Sequence, residues 1–427
     1  MAKKLLYETV YETLKANIMN DYYPANSKLM SIRQYAKTHN ISTTTVEKAY
    51  HQLAVEGYIA SRPRSGYYVM NIHNVASTST SLSLEPIGYH NHPNDQITPC
   101  MFETKEYKRM LNQVLNYEED NLRKPCHPSG ELALRKEIQA FLRDERNVMC
   151  DVNQIIIGAG IQSLLHILLG LSNRTSVMYL KPEFTKAINI FRQYDFQCIG
   201  RNTFDNLLKT EADFLYISPS NMYPSGDILK VNDRNKLITW AHTFDSYIIE
   251  DDYNFLMRYN SQIIPAIQSF DHAHVIYIGS FSKTLLPSLR MSYMVLPPKL
   301  YNLYKKDFFN YAQGVSKLEQ LSVANYMKSG LYYRHLKKLS KIYKDKNEIM
   351  LEAIKRYQKN HFTIRSTDAN LHIVFDFKQK HHLNTFIKKC HQYAYKYQLI
   401  DQSNSIIFPY SGIENKDIPK VVKQLLN

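Results

Sequence analysis

No two of the five cysteines (Cys100, Cys126, Cys150, Cys198 and Cys390) stand in CxxC spacing, and their number is odd. That excludes a disulfide framework and gives no pattern for a zinc-cysteine site, so no metal site is expected and a reducing cytoplasm is the natural compartment. Long apolar runs are also missing. A membrane-spanning helix needs about 20 consecutive apolar residues. The nearest approach, Ile155 to Leu171, is interrupted by Gly158, Gly160, Gln162, Ser163 and His166, so no membrane span is expected. The start, Met1-Ala2-Lys3-Lys4, leads into an amphipathic segment and lacks the apolar centre of a signal peptide. Internal repeats are lacking. Glycine is scarce, at 13 residues, in a chain rich in Lys, Asn, Ile and Tyr, a bias that nucleotide composition alone can produce.

Acidic side chains are outnumbered, 39 against 53 Lys and Arg, which leaves a net charge of +14. An anionic partner fits that balance, although charge by itself does not name it. With 427 residues, 44% hydrophobic and 22% charged, the chain has the composition of a globular protein of two or three domains.

The first 71 residues read as a small helical module. Leu6, Val10, Leu14 and Ile18 recur four apart and mark one helix face, broken by Pro24 and Asn26. Ser31 can cap a second helix, Ile32 to His39, which Asn40 ends in a left-handed turn. Ser42 can cap a third, with Val46, Ala49, Tyr50 and Leu53 as its buried stripe and Gly57 beyond its end. Tyr58 to Ser61 and Tyr67 to Val69, joined through Arg62-Pro63-Arg64-Ser65-Gly66, read as a hairpin. Together these make a winged helix-turn-helix. Such a fold lays the start of its third helix in the major groove of double-stranded DNA and rests its wing on phosphates. The candidate contacts are Ser42, Thr43, Thr44, Thr45 and Lys48 on the third helix, Arg33 on the second, and Arg62, Arg64 and Gly66 at the wing. The competing reading is a small helical domain that binds another protein. The wing arginines, and nine basic against five acidic residues over 1–72, favour DNA.

Residues 72–99, with Ala76-Ser77-Thr78-Ser79-Thr80-Ser81 and prolines at 86, 93 and 99, read as a linker. From residue 100 short apolar runs alternate with helical stretches: 154–157, 176–180, 213–218, 246–250, 274–278 and 292–296. The expected fold is α/β, a large domain with a mostly parallel sheet covered on both faces and a smaller α+β domain over about 310–427.

Several segments of this region carry chemistry suited to a phosphate-bearing aldehyde cofactor. Gly279-Ser280-Phe281-Ser282-Lys283-Thr284 follows a buried strand, with Arg290 close behind. The Lys283 amine can condense with the aldehyde as a Schiff base, while the hydroxyls of Ser280 and Ser282 and the Arg290 guanidinium hold a phosphate. Gly160-Ile161-Gln162 opens a helix after a strand and offers free backbone amides, although glycine at such a turn often serves geometry alone. Glu250-Asp251-Asp252-Tyr253 ends another strand. Asp251 can keep a pyridine nitrogen protonated and Tyr253 can bind a ring hydroxyl; by itself the same acidic strand end also suits magnesium. Phe184 can lie near the ring or simply pack in the core, and Asn221 can face it. The cofactor this set suits is pyridoxal 5'-phosphate (PLP).

Two resemblances accompany these residues. Leu29 to Ala36, Ser42 to Val46, Ala49-Tyr50, Leu53, Glu56-Gly57 and Arg64 to Val69 resemble a GntR-type winged helix, with Thr43 where that family often has arginine. The Gly160, Asp251, Tyr253, Lys283 and Arg290 segments, in this order, resemble fold-type I aminotransferases. The whole chain resembles a MocR/GabR-type regulator. That resemblance implies PLP on Lys283, a homodimer with exchanged DNA heads, and an unknown small-molecule effector. It also exposes departures. The tyrosine that reaches the partner's cofactor is missing from Pro125-Cys126-His127-Pro128-Ser129-Gly130. Lys181-Pro182-Glu183-Phe184 lacks a hydroxyl. Ile407, in Ile406-Ile407-Phe408-Pro409-Tyr410, stands where an arginine would clamp a substrate carboxylate, a loss for which Lys186 is a poor replacement. The expectation is a sequence-specific transcriptional regulator with a PLP-binding sensor domain and no transaminase turnover. The alternatives are an active aminotransferase with a DNA-binding head, or a regulator whose cofactor site is vestigial.

Overall fold

A computed structural model describes residues 6–63, 65–71, 102, 104–171, 173–181, 185–222, 226–253, 255, 264–307, 310–357, 360–365, 372–400 and 403–427, and of Thr185 and Lys186 the backbone alone. The chain divides into two compact units, Met1–Tyr89 and His90–Asn427.

In the first unit, α1 (Leu6–Met19), α2 (Ile32–Thr38) and α3 (Thr43–Val55) precede an antiparallel hairpin of β1 (Ile59–Arg62) and β2 (Gly66–Val69). The caps lie where the sequence puts them. The Ser31 hydroxyl accepts the Gln34 N–H at 3.2 Å and that of Ser42 accepts the Thr45 N–H at 3.1 Å. Asn40 takes φ 51° between the two helices. Val10, Leu14 and Ile18 of α1 pack on Val46, Ala49, Tyr50 and Leu53 of α3. Leu6, expected on the same face, is exposed: it opens the helix a full turn before the packed stretch begins.

In the second unit, α4 (Thr104–Tyr117), α5 (Glu119–Leu122) and α6 (Leu132–Arg146) lead into a seven-stranded sheet. In chain order it is built from β3 (Ile155–Gly158), α7 (Ile161–Gly170), β4 (Ser176–Leu180), α8 (Thr185–Gln193), β5 (Gln197–Arg201), α9 (Phe204–Leu208), β6 (Phe214–Ile217), α10 (Val231–Thr243), β7 (Tyr247–Asp251), β8 (Val275–Ser280) and β9 (Ser292–Val295). The spatial order is β3-β9-β8-β7-β6-β4-β5, parallel throughout except for β9. Five of these strands are buried along nearly their whole length, as their continuous apolar runs require. Edge strand β5, Gln-Cys-Ile-Gly-Arg, was not foreseen; half-exposed residues of mixed polarity gave it no periodic signal.

The chain continues through α11 (Pro298–Asp307), α12 (Lys317–Lys328) and the 26-residue α13 (Leu331–Arg356). Val323, Ala324, Tyr326 and Met327 of α12 share a core with Ile138 and Phe141 of α6. The last turns of α13 (Met350, Ala353 and Ile354) belong instead to a second core. That core is closed by β10 (Phe362–Arg365), β11 (His372–Phe377), α14 (Lys380–Gln392), β12 (Gln398–Leu399), β13 (Ser405–Pro409) and α15 (Ile418–Leu426), with sheet order β10-β11-β13-β12. None of the described helices is long and apolar enough to cross a membrane. The four described cysteines are unpaired.

Candidate cofactor site and DNA-facing surface

Strand register brings the cofactor candidates to one edge of the large sheet. Ser292 pairs with Gly158 on one side and with Ser280 on the other. The residues just after Gly158, just after Ser280 and just before Ser292 therefore share the carboxyl edge of the parallel strands, and β7 delivers Asp251 to the same edge. Open α/β sheets bind ligands at that edge.

The phosphate-type cradle is formed by Gly160 and Arg290. Gly160 caps α7 with φ 89° and is followed by Ile161 and Gln162, whose backbone amides open the helix. A Cβ on Gly160 would lie 2.8 Å from Nη2 of Arg290, so the guanidinium rests directly against the glycine. Arg290 is exposed and itself left-handed, at φ 46°. Its backbone is therefore bent to aim the side chain at the helix start, where dipole, amides and guanidinium all favour an anion. The Ser280 hydroxyl accepts from the Ser282 N–H at 3.1 Å and from the Ser292 hydroxyl at 3.1 Å. Ser282 and Lys283 follow on the half-buried turn after β8.

Alternation along β7 sorts the acidic triplet. Glu250 and Asp252 leave one face of the strand and are tied into the protein. Glu250 accepts the N–H groups of Ile267 (2.9 Å) and Gln268 (3.0 Å). Asp252 pairs with Arg146 at 2.6 Å and accepts from the Tyr277 hydroxyl at 2.7 Å. Asp251 leaves the opposite face, where the buried Tyr216 hydroxyl donates to it. Burial pushes the Asp251 carboxyl up to about 7, against the lowering effect of that hydrogen bond; the neighbouring Asp252 charge also raises it. A buried carboxylate poised near neutrality is what a pyridinium nitrogen stabilises. This chemistry, with the glycine–guanidinium cradle, fits PLP and does not fit magnesium: the two flanking carboxylates are turned away and engaged.

Tyr253 follows β7 by two residues and Asn221 follows β6 by four, half-buried and buried respectively. Phe184 and the side chain of Lys186 lie outside the described residues. Sequence reasoning missed Tyr216. Its only signal was a phenol inside the otherwise aliphatic and aromatic run Phe214–Ile217. Ile407 is fully buried in β13, paired with Val374 of β11 and Gln398 of β12. In the same row, Arg365 of β10 pairs with Val374, and its guanidinium is taken by both oxygens of Asp376, at 2.6 and 2.7 Å.

On the winged helix, Thr43, Thr44 and Lys48 are exposed on one side of α3 and Arg33 is exposed on α2. Ser42 and Thr45 are less available, because their hydroxyls bond each other at 2.7 Å within the cap. Arg62 lies over the Tyr68 ring, 4.3 Å from its centroid, which stiffens the wing and leaves the arginine exposed. Gly66 takes φ 114°. Arg64 lies outside the described residues.

A winged helix and an α/β unit with an aminotransferase-type edge site define a class: DNA-binding regulators built on a cofactor-enzyme fold. Residues 6–69 match the bacterial regulatory proteins of the gntR family, and residues 101–416 match aminotransferase class I and II. The uncharacterized HTH-type transcriptional regulator YdeL of Bacillus subtilis is 32% identical over 98% of this chain and 96% of its own. The probable rhizopine catabolism regulatory protein MocR of Rhizobium meliloti is 26% identical, over 87% of this chain and 82% of its own. Among solved structures, the multiple substrate aminotransferase of Thermococcus profundus superposes with a TM-score of 0.69 at 20% identity, over 78% of this chain and 89% of that one. The chain belongs to the MocR/GabR-type transcriptional regulators, which join a gntR-family helix-turn-helix to a class I and II aminotransferase domain.

Proposed function

We propose that this regulator binds PLP through Lys283, Asp251, Tyr253, Arg290 and the Gly160 turn, works as a homodimer on operator DNA, and senses a small molecule without turning over amino acids. PLP supplies an electrophilic aldehyde and a protonated ring. The chain supplies the amine, the ring's counter-charge and the anion cradle.

The observation that carries the absence of turnover is Ile407. The fully buried carbon side chain of Ile407 stands where the resemblance to aminotransferases implies an arginine that would hold a substrate carboxylate, and Arg365 in the same row is engaged by Asp376. Losing a charge-assisted clamp forfeits about 1.5–3 kcal/mol of binding and the orientation on which amino-acid chemistry depends. The regulated genes do not carry over from relatives: one is named for rhizopine catabolism and another, PdxR of Corynebacterium glutamicum, for pyridoxine biosynthesis. The test is keto-acid release from a panel of amino acids by the PLP-loaded protein. No release, with salt-sensitive binding to promoter DNA, is expected. Steady turnover would overturn the reading.

A further inference from the structure

The side of the large sheet away from the cofactor edge carries a second cluster of chemically competent side chains. His242 sits in the last turn of α10, and Asp271 and His274 lie in the segment that leads into β8. His242 Nε2 is 3.0 Å from Asp271 Oδ2 and His274 Nδ1 is 2.9 Å from the same oxygen. All three ligand atoms lie within 4.8 Å of one another, and the two imidazole centroids are 4.2 Å apart. We propose that His242, Asp271 and His274 form a binding site for one divalent metal ion of the zinc class, completed by water on the exposed side of His242.

Three features support this assignment. The first is ligand type: two imidazoles and one carboxylate with an open fourth position form a common zinc donor set. The second is geometry. Tetrahedral zinc with bonds of about 2.0–2.1 Å places its ligands roughly 3.3 Å apart. The two histidine–carboxylate separations lie a few tenths of an ångström inside that edge, so a small outward shift of the rings admits the ion. The third is that the carboxylate is already positioned. Its other oxygen, Oδ1, accepts the N–H groups of Ala273 (2.8 Å) and His274 (3.2 Å), which aims Oδ2 at the rings. Such outer bonds fix a ligand's orientation and raise its affinity.

The surrounding charges permit a cation. His242 lies at the carboxyl end of α10, where the helix dipole is negative. The nearby guanidinium of Arg174 lies over the Tyr247 ring, and its charge is matched by Asp213 and Asp245. Between His242 and Asp271 the chain runs through β7, so sequence spacing concealed the cluster and only the fold unites it. The ion would tie the end of α10 to the start of β8. Lys283 lies beyond the other end of that strand, so the site is separate from the cofactor edge.

The test uses the full chain stripped by a chelator and dialysed against zinc, with bound metal counted by atomic emission. The parent should hold one equivalent more than His242→Ala and His274→Ala, each of which should bind that equivalent at least tenfold more weakly. Trp240, the only tryptophan, lies two residues before His242. Zinc should therefore raise the midpoint of its fluorescence melt in the parent and not in the variants. His242 is more than half exposed, so its replacement leaves the core intact and decides the question even if His274→Ala misfolds. His382→Ala, in a separate histidine cluster on α14, should leave the extra equivalent unchanged. Equal zinc content and equal melting shifts in the parent and His242→Ala would overturn the proposal.

Discussion

Replacing Asp251 by asparagine should make the PLP-free protein more stable at alkaline pH while weakening its hold on PLP. The carboxyl is fully buried and is pushed up to about 7, from an ordinary 3.8, by burial first and by the Asp252 charge. Below the ordinary value Asp251 is neutral in both the folded and the unfolded chain and costs nothing. As pH rises, the unfolded chain releases its proton first. The folded chain keeps it until about 7, so stability is lost across that window and levels off above it. Each pH unit inside the window is worth about 1.4 kcal/mol. Between pH 5 and pH 8 the stability of the parent should therefore fall by roughly 2–3 kcal/mol relative to Asp251→Asn. Trp240 makes the assay specific. It is buried in α10, its indole N–H bonds the Thr210 carbonyl at 2.8 Å, and it reports the α/β unit alone. Urea unfolding followed by its fluorescence at pH 5, 6, 7 and 8, for PLP-free parent and variant, gives the difference directly. Parallel curves across that range would refute a buried carboxyl raised toward neutrality. Adding PLP should flatten the slope in the parent, because the ring nitrogen then matches the charge.

Two further substitutions probe the cradle and the wing. Gly160→Ala puts a methyl group 2.8 Å from the Arg290 guanidinium, on a backbone at φ 89°. It should weaken PLP binding at least tenfold, about 1.4 kcal/mol, and lower the stability of the PLP-free protein by about 1 kcal/mol; both are read by Trp240 fluorescence, and unchanged PLP affinity would remove Gly160 from the site. Arg62→Ala should weaken promoter binding nearly uniformly across sequences and reduce the salt slope of log affinity by about one; an unchanged slope would remove Arg62 from the phosphate contacts.

What the sequence made legible followed from local rules. Ser31 and Ser42 sat where helix caps belong, Val46, Ala49, Tyr50 and Leu53 kept the helical period, and the sheet's inner strands were continuous apolar runs. Asp251 and Ser280 could be singled out because each ends a strand, where a polar residue after an apolar run is conspicuous. What stayed hidden depends on contacts between distant segments. Tyr216 is unremarkable until the pairing of β6 with β7 brings it to Asp251. His242 joins Asp271 and His274 only through the crossover from α10 to β8. Strand β5 has no apolar period because an edge strand need not be buried. The bend at Arg290, a left-handed arginine, has no sequence signature at all, yet it is what sets the guanidinium against Gly160.

The central claim is that the edge site binds PLP through Lys283. Its most direct test is the visible absorbance of the protein after incubation with PLP and desalting, beside Lys283→Ala treated identically. The account predicts an absorbance band that stays with the parent and is absent from the variant. A band of equal strength in both, or none in either, would contradict it.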